Sequence, residues 1–124
     1  MKILVVNFSD KKGGAAKAAN RLHLALLENN INSKMLVLEK VGDDYLTISP
    51  QTNQEKLLAK AQSLVNPIPV KKYNTTAPFS PSFSPSFSLV KKINEYSPDV
   101  VHLHWINAGM LKIEDLSKIK APIV

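Results

Sequence analysis

A chain of 124 residues with 44% hydrophobic content can build one compact core and is too short for two ordinary domains. It contains no cysteine, which excludes disulfides, a thiolate nucleophile and a cysteine-based zinc site. The net charge of +6 comes from lysines spread in short doublets such as Lys11-Lys12, Lys71-Lys72 and Lys91-Lys92, the pattern of a solvated basic face, and its phenylalanines sit among serines and prolines, so nucleic acid is not an expected partner.

In chain order, Lys2 to Asn7 holds the run Ile3-Leu4-Val5-Val6, apolar on both faces and rich in branched side chains, as a central parallel strand is. No small-residue cleavage site follows it, so a secretory signal is not expected and residence is expected to be cytoplasmic. A polar turn from Ser9 to Gly14 leads to Ala15, Ala18, Ala19, Leu22, Ala25 and Leu26 at helical spacing, with Asn29-Asn30 as the stop. Lys34 to Leu38 is the second strand, which completes a strand–helix–strand unit with a right-handed crossover. A short extended piece is expected at Tyr45 to Ile48.

Next, Leu57, Leu58, Ala61, Leu64 and Val65 line one face of a helix whose other side carries Lys56 and Lys60; Pro67 and Pro69 end it. Phe79 to Ser88 repeats Phe-Ser-Pro-Ser and cannot be regular helix, so its phenylalanines are expected to dock on the core beside an irregular loop. A helix from about Leu89 to Tyr96 ends before Ser97-Pro98, and Asp99 to His104 is a further buried strand. A last helix is expected over Ile113 to Ile119, with Glu114 and Asp115 in its first turn and Lys118 near its end. Pro122-Ile123-Val124 begins another strand, so residues 1–124 are expected to be an incomplete domain that continues past Val124. The resulting fold class is α/β, a Rossmann-like parallel sheet with helices on both faces; Lys2 to Asn7 is expected between Lys34 to Leu38 and Asp99 to His104, with Pro122 to Val124 outermost on the latter side.

Two segments can carry chemistry. Lys12-Gly13-Gly14-Ala15-Ala16-Lys17-Ala18 lies between strand and helix, where backbone amides face an anion. A phosphate loop of the nucleotide-triphosphatase kind needs further glycine and a hydroxyl after the lysine, yet Ala16 and Ala18 stand there. A dinucleotide site needs G-x-G-x-x-G, which is absent, and only Glu39 at the end of the second strand favours it. A plain glycine turn is the bland alternative; the favoured reading is a glycine pair that lets a ligand approach the backbone. The second segment, His102-Leu103-His104-Trp105-Ile106-Asn107, ends a central strand at the sheet edge where ligands bind in open parallel sheets. Alternation sends His102 and His104 to one face, His102 as a core residue and His104 nearer the edge. Two histidines without a third ligand make a poor metal site, and no neighbouring serine or cysteine suggests a triad. His23 reads as a packing or surface residue.

Gly13-Gly14-Ala15-Ala16 with Arg21-Leu22-His23 and Leu26-Leu27, then Asp99 through Asn107 and Ile113-Glu114-Asp115-Leu116, resembles bacterial family-4 glycosyltransferases of cell-surface polysaccharide synthesis. The resemblance runs the length of the chain. It implies the N-terminal, acceptor-side domain of a GT-B fold, whose missing C-terminal domain grips the nucleotide-sugar. It implies retention of anomeric configuration, no cofactor and no metal, with a nucleotide-sugar donor and a glycan or lipid-linked acceptor as partners. Gly13 and Gly14 would form the donor-facing loop, and His104, Trp105 and Asn107 would line the acceptor side. Catalytic residues would lie beyond Val124, leaving the chain inactive alone. The rival classes are an ATPase-like nucleotide-binding module using Lys12-Gly13-Gly14, and a non-enzymatic α/β interaction module, for which Asn7, Ser9 and Asp10 supply one carboxylate only. A basic patch of Lys56, Lys60, Lys71 and Lys72 is the expected point of peripheral contact with the inner face of a membrane.

Overall fold

The computed structural model describes residues 1–44, 46–73, 82 and 86–124, with the backbone alone at Phe87. Four strands form one all-parallel sheet: β1 (Lys2–Val6), β2 (Asn32–Leu36), β3 (Thr47–Ile48) and β4 (Val100–Leu103), in the order β3-β2-β1-β4. Register runs Leu4 opposite Lys34 on one side and opposite Val101 on the other. Past β4, the N–H of Val101 donates to Pro122 O at 2.9 Å, and Ile123 bridges Val101 in parallel. The strand expected outermost at Pro122 to Val124 is therefore in place. The second strand lies two residues earlier than its hydrophobic run suggested, because Val37 and Leu38 continue the chain past the ladder toward the loop after it.

Among the described residues there are three α-helices, α1 (Gly13–Glu28), α2 (Asn53–Val65) and α3 (Phe87–Tyr96), with short 3-10 segments at Val70–Lys72, after α2, and Ile113–Lys118, after β4. Alternation along β1 splits the core in two. Ile3 and Val5 face α1 with Met35 and Val37, while Leu4 and Val6 face α3 with Leu36, Val101 and Ile93. Helices therefore cover both faces of the sheet.

Within α1 the inward residues are Ala16, Ala19 and His23, with Leu22 and Leu26 half-buried, while Ala18 and Ala25 are exposed. The buried stripe is thus rotated from the expected one: alanine carries too little apolar surface to fix the phase of a helix by itself. The helix ends at Asn30, whose φ of 58° is the left-handed conformation that asparagine tolerates. Helix α3 starts at Phe87, two residues earlier than expected, and Ser97 stops it with φ 50° before Pro98.

The helix expected over Ile113 to Ile119 is present as a 3-10 helix at Ile113–Lys118: buried Asp115 fixes it by accepting from Ser86 N at 2.9 Å, Ser86 Oγ at 2.8 Å and Lys118 Nζ at 2.6 Å. Those bonds, with Lys118 the foremost cause, hold the Asp115 carboxyl well below the usual carboxylate range. Helix α2 carries its expected apolar stripe, but Leu57 and Leu64 are 70% and 66% exposed, and none of its side chains is buried. Its inward side mixes Leu58 and Ala59, which share a depression with Leu36 and Leu89, with Glu55, which meets Lys92 of α3 at 2.8 Å, and the adjacent Asn66 is buried. Its start is fixed by a capping box between Thr52 and Glu55. The expected docking of Phe79 and Phe83, the side chain of Phe87, and Tyr45 at the head of the short extended piece lie outside the described residues. Among the described residues, no helix is long and apolar enough to cross a membrane.

Candidate functional site

In a parallel sheet every strand delivers its C-terminal end to the same edge, and that edge here is an open cleft of about 450 Å³. Three chain segments build it. The turn after β1 contributes Asn7, Phe8 and Ser9; the start of α1 contributes Lys12, Gly13, Gly14 and Ala15; Glu39 and Trp105 come from beyond β2 and β4.

The loop from β1 to α1 is held by its own side chains. Ser9 Oγ accepts from the N–H of Lys12 at 3.2 Å and, at 3.4 Å, from that of Lys11, which folds the chain back before the helix starts. Buried Asp10 accepts from the N–H of Val41 and of Gly42, both at 2.8 Å, tying this loop to the one after β2. Gly13 takes φ +85°, a conformation that strains any residue with a Cβ, and Gly14 does not. A Cβ at either position would meet nothing within 4 Å. The space in front of both glycines is open.

Beyond the glycines stands the N-terminus of a 16-residue helix with no acidic residue in its first turn and, among the described residues, no side chain capping it. Its leading N–H groups carry the partial positive charge of the helix and point at the cleft. Lys12 Nζ lies 2.5 Å from Glu39 Oε1 across the mouth. The cleft thus presents a cation, a carboxylate and free amides side by side.

The opposite wall is aromatic. Trp105 is 41% exposed and meets Phe8 edge to face, with ring centroids 5.6 Å apart. Both rings are fixed by the backbone: Phe8 N–H donates to Trp105 O, and Trp105 N–H donates to Asn7 Oδ1, each at 2.9 Å. Asn7 also donates to Ser9 O at 2.6 Å, so one buried carboxamide couples the aromatic wall to the glycine loop.

Of the residues expected at the site, Gly13, Gly14 and Trp105 share this cleft, whereas His104 and Asn107 are outside its lining. Alternation is the reason for His104: it projects on the side of His102, where the two rings stack at 4.7 Å, while Trp105 turns the other way. Burial and then the neighbouring His102 lower the His104 pKa, so the ring is kept neutral; among the described residues its Nε2 and His102 Nδ1 have no hydrogen-bond partner. His102 is half-buried and is not the hydrogen-bonded core residue that was expected. Asn107 instead lends its carbonyl to Met110 N at 3.2 Å in the turn after β4.

His23, half a molecule away, lies with Nδ1 2.8 Å from Ser33 Oγ and Nε2 3.7 Å from Asp44 Oδ2. The trio has the composition of a nucleophilic triad but not its access: His23 and Ser33 are each 1% exposed, so no substrate reaches the hydroxyl. It is a packing contact between α1 and β2.

Sequence reasoning missed Asn7, Phe8 and Ser9 as site builders. The available signal was polar Asn7 closing an otherwise apolar strand, a position that a purely structural strand fills with another branched residue. Comparison with protein-family models, with curated proteins and with solved structures gives no match. The fold that the structure itself defines is an α/β parallel sheet with helices on both faces.

Proposed function

We propose that the chain is the acceptor-side part of a retaining glycosyltransferase, a GT-B type enzyme that moves a sugar from a nucleotide-sugar to a glycan or lipid-linked acceptor. The observation that carries this reading is the pairing, in one cleft, of an exposed aromatic wall with an uncapped helix N-terminus. A pyranose ring has apolar C–H faces and a rim of hydroxyls. Trp105 and Phe8 suit the faces, while Glu39 and the Ser9 to Gly14 loop supply acceptors and donors for the rim. The helix N-terminus suits a phosphate attached to the sugar, as backbone amides do elsewhere. In the transfer, the bond between the anomeric carbon and the diphosphate breaks, the nucleoside diphosphate leaves with the electron pair, and the acceptor hydroxyl adds to that carbon and releases its proton. Gly13 and Gly14 flank the leaving diphosphate, and Trp105 holds the acceptor. His104 stacks on His102, outside the cleft that Trp105 lines.

The ATPase-like alternative is disfavoured by Lys12, which in that reading would hold phosphate but here pairs with Glu39. The Glu39 carboxylate at the mouth of the cleft can accept hydrogen bonds from sugar hydroxyls.

The test is to read the coding sequence past Val124 and assay its whole product for sugar transfer from a panel of nucleotide-sugars. A second Rossmann-like half, and transfer that Trp105→Ala reduces at least about tenfold, is the expected outcome. Magnesium-dependent ATP hydrolysis with no sugar transfer would overturn the proposal.

A further inference from the structure

Strand β4 ends on two histidines whose ring nitrogens are not all used by the fold. Its register sets His102 opposite Val5, a core residue on the α1 side of the sheet, and alternation puts His104 on that same side. Helix α1 packs on β1 and β2, so the two imidazoles stand beside it over β4, both half-buried. The rings stack with centroids 4.7 Å apart and planes inclined by 26°. His102 Nδ1 and His104 Nε2 are buried and, among the described residues, neither has a hydrogen-bond partner. A buried polar atom left unpaired is uncommon, and two on neighbouring rings call for a common explanation. Each ring can take the tautomer that leaves this nitrogen as a bare lone pair. For His104, burial and then the nearby His102 favour the neutral ring that such a lone pair requires.

We propose that His102 and His104 together chelate a late first-row divalent metal ion, zinc or copper, through these two nitrogens. Two nitrogens held about 2.0–2.1 Å from a tetrahedral ion lie about 3.3 Å from each other. Rings with centroids 4.7 Å apart approach more closely at the edge where their inclined planes converge, and the soft terminal torsion of histidine supplies the remaining adjustment. Imidazole suits zinc, copper and nickel, whereas magnesium and calcium take oxygen donors. Among the described residues no third histidine or carboxylate joins the pair. Two ligands are too few for a closed structural site, so the ion is exchangeable and water completes its shell. His23, the remaining histidine, is engaged with Ser33 in the interior and takes no part. The site adjoins the cleft through Trp105, the residue after His104, but it rests on the β4 pair and not on the sugar-transfer reading, so either can fail alone.

The experiment is calorimetric titration of the 124-residue chain with zinc chloride, copper chloride and, as a control, magnesium chloride, alongside nuclear magnetic resonance of its 3 histidine rings. One equivalent of zinc is expected to bind saturably, copper more tightly, and magnesium not at all. Zinc should shift the imidazole signals of His102 and His104 and leave those of His23 in place, a readout that requires no substitution. His102→Gln and His104→Gln are each expected to weaken zinc binding at least about tenfold, with an unchanged circular dichroism spectrum. An ion held elsewhere, as at the exposed amino terminus of Met1, would bind without moving the two β4 rings, and that result overturns the proposal. So does the absence of saturable zinc binding, or parental zinc affinity in both glutamine variants.

Discussion

Replacing Gly13 and Gly14 one at a time with alanine should give effects of opposite sign, although the two glycines are adjacent and line the same cleft. Neither new Cβ meets an atom within 4 Å, so packing is not at issue at either position. The difference is backbone conformation. Gly13 has φ +85°, where a Cβ costs about 1–2 kcal/mol. Gly14 sits in the first turn of α1 at an ordinary φ, so alanine there restricts the unfolded chain and favours helix, a gain of about 0.5–1 kcal/mol. Unfolding entropy of about 2.1 cal/mol/K per residue converts 1 kcal/mol into about 4 °C for a chain of this length. Gly13→Ala should therefore lower the melting temperature by about 4–8 °C, and Gly14→Ala should raise it by about 2–4 °C. Thermal unfolding followed by circular dichroism measures both, and Gly13→Asn should recover part of the loss because asparagine tolerates the left-handed region. Equal shifts at the two positions, or a stable Gly13→Ala, would refute the conformational argument.

Gly14→Val should fold like the parent and yet lose ligand binding, because the branched side chain grows into the open cleft; retention of both fold and binding would place the ligand elsewhere. Asp10→Ala should cost about 2 kcal/mol in urea unfolding, since it strands the N–H groups of Val41 and Gly42, whereas Asp10→Asn keeps one acceptor and should cost less. Stability should fall as pH drops through about 6.5. Burial lowers the folded-state pKa of His23, against the opposing pull of Asp44, and that of His104, so the unfolded chain takes up those protons first. A second decline should begin below about pH 4.5, where Glu55, brought to about 2 chiefly by its hydrogen bond to Lys92, and Asp115 lose partners that the ionised carboxylates hold. A urea midpoint that is flat from pH 7 to 5.5 would contradict the histidine part.

The sheet was legible because β1 is buried on both faces and reads as an unbroken branched run, and because a strand–helix–strand unit admits essentially one handedness. Leu4 and Val6 on one side, Ile3 and Val5 on the other, follow from alternation alone. What periodicity does not carry is which side of a helix meets the sheet. In α2 the apolar stripe at Leu57 and Leu64 is visible in the sequence, but the ion pair of Glu55 with Lys92 depends on where α3 lies. The same limit governs the site. Gly13, Gly14 and Trp105 each belong to a segment recognisable in the sequence, whereas Asn7 joins the cleft through a hydrogen bond to Trp105 that exists only once β1 and β4 are in register. His104, one residue before Trp105, stacks on His102 and stands outside the cleft lining.

Trp105 is the only tryptophan in the chain and forms the cleft wall, so its fluorescence reports directly on occupancy of the proposed sugar site. Titration with oligosaccharides and sugar phosphates should give saturable quenching that Gly14→Val abolishes. Saturable quenching by magnesium-ATP, with none by any sugar or sugar phosphate, would contradict the assignment of this cleft to glycosyl transfer.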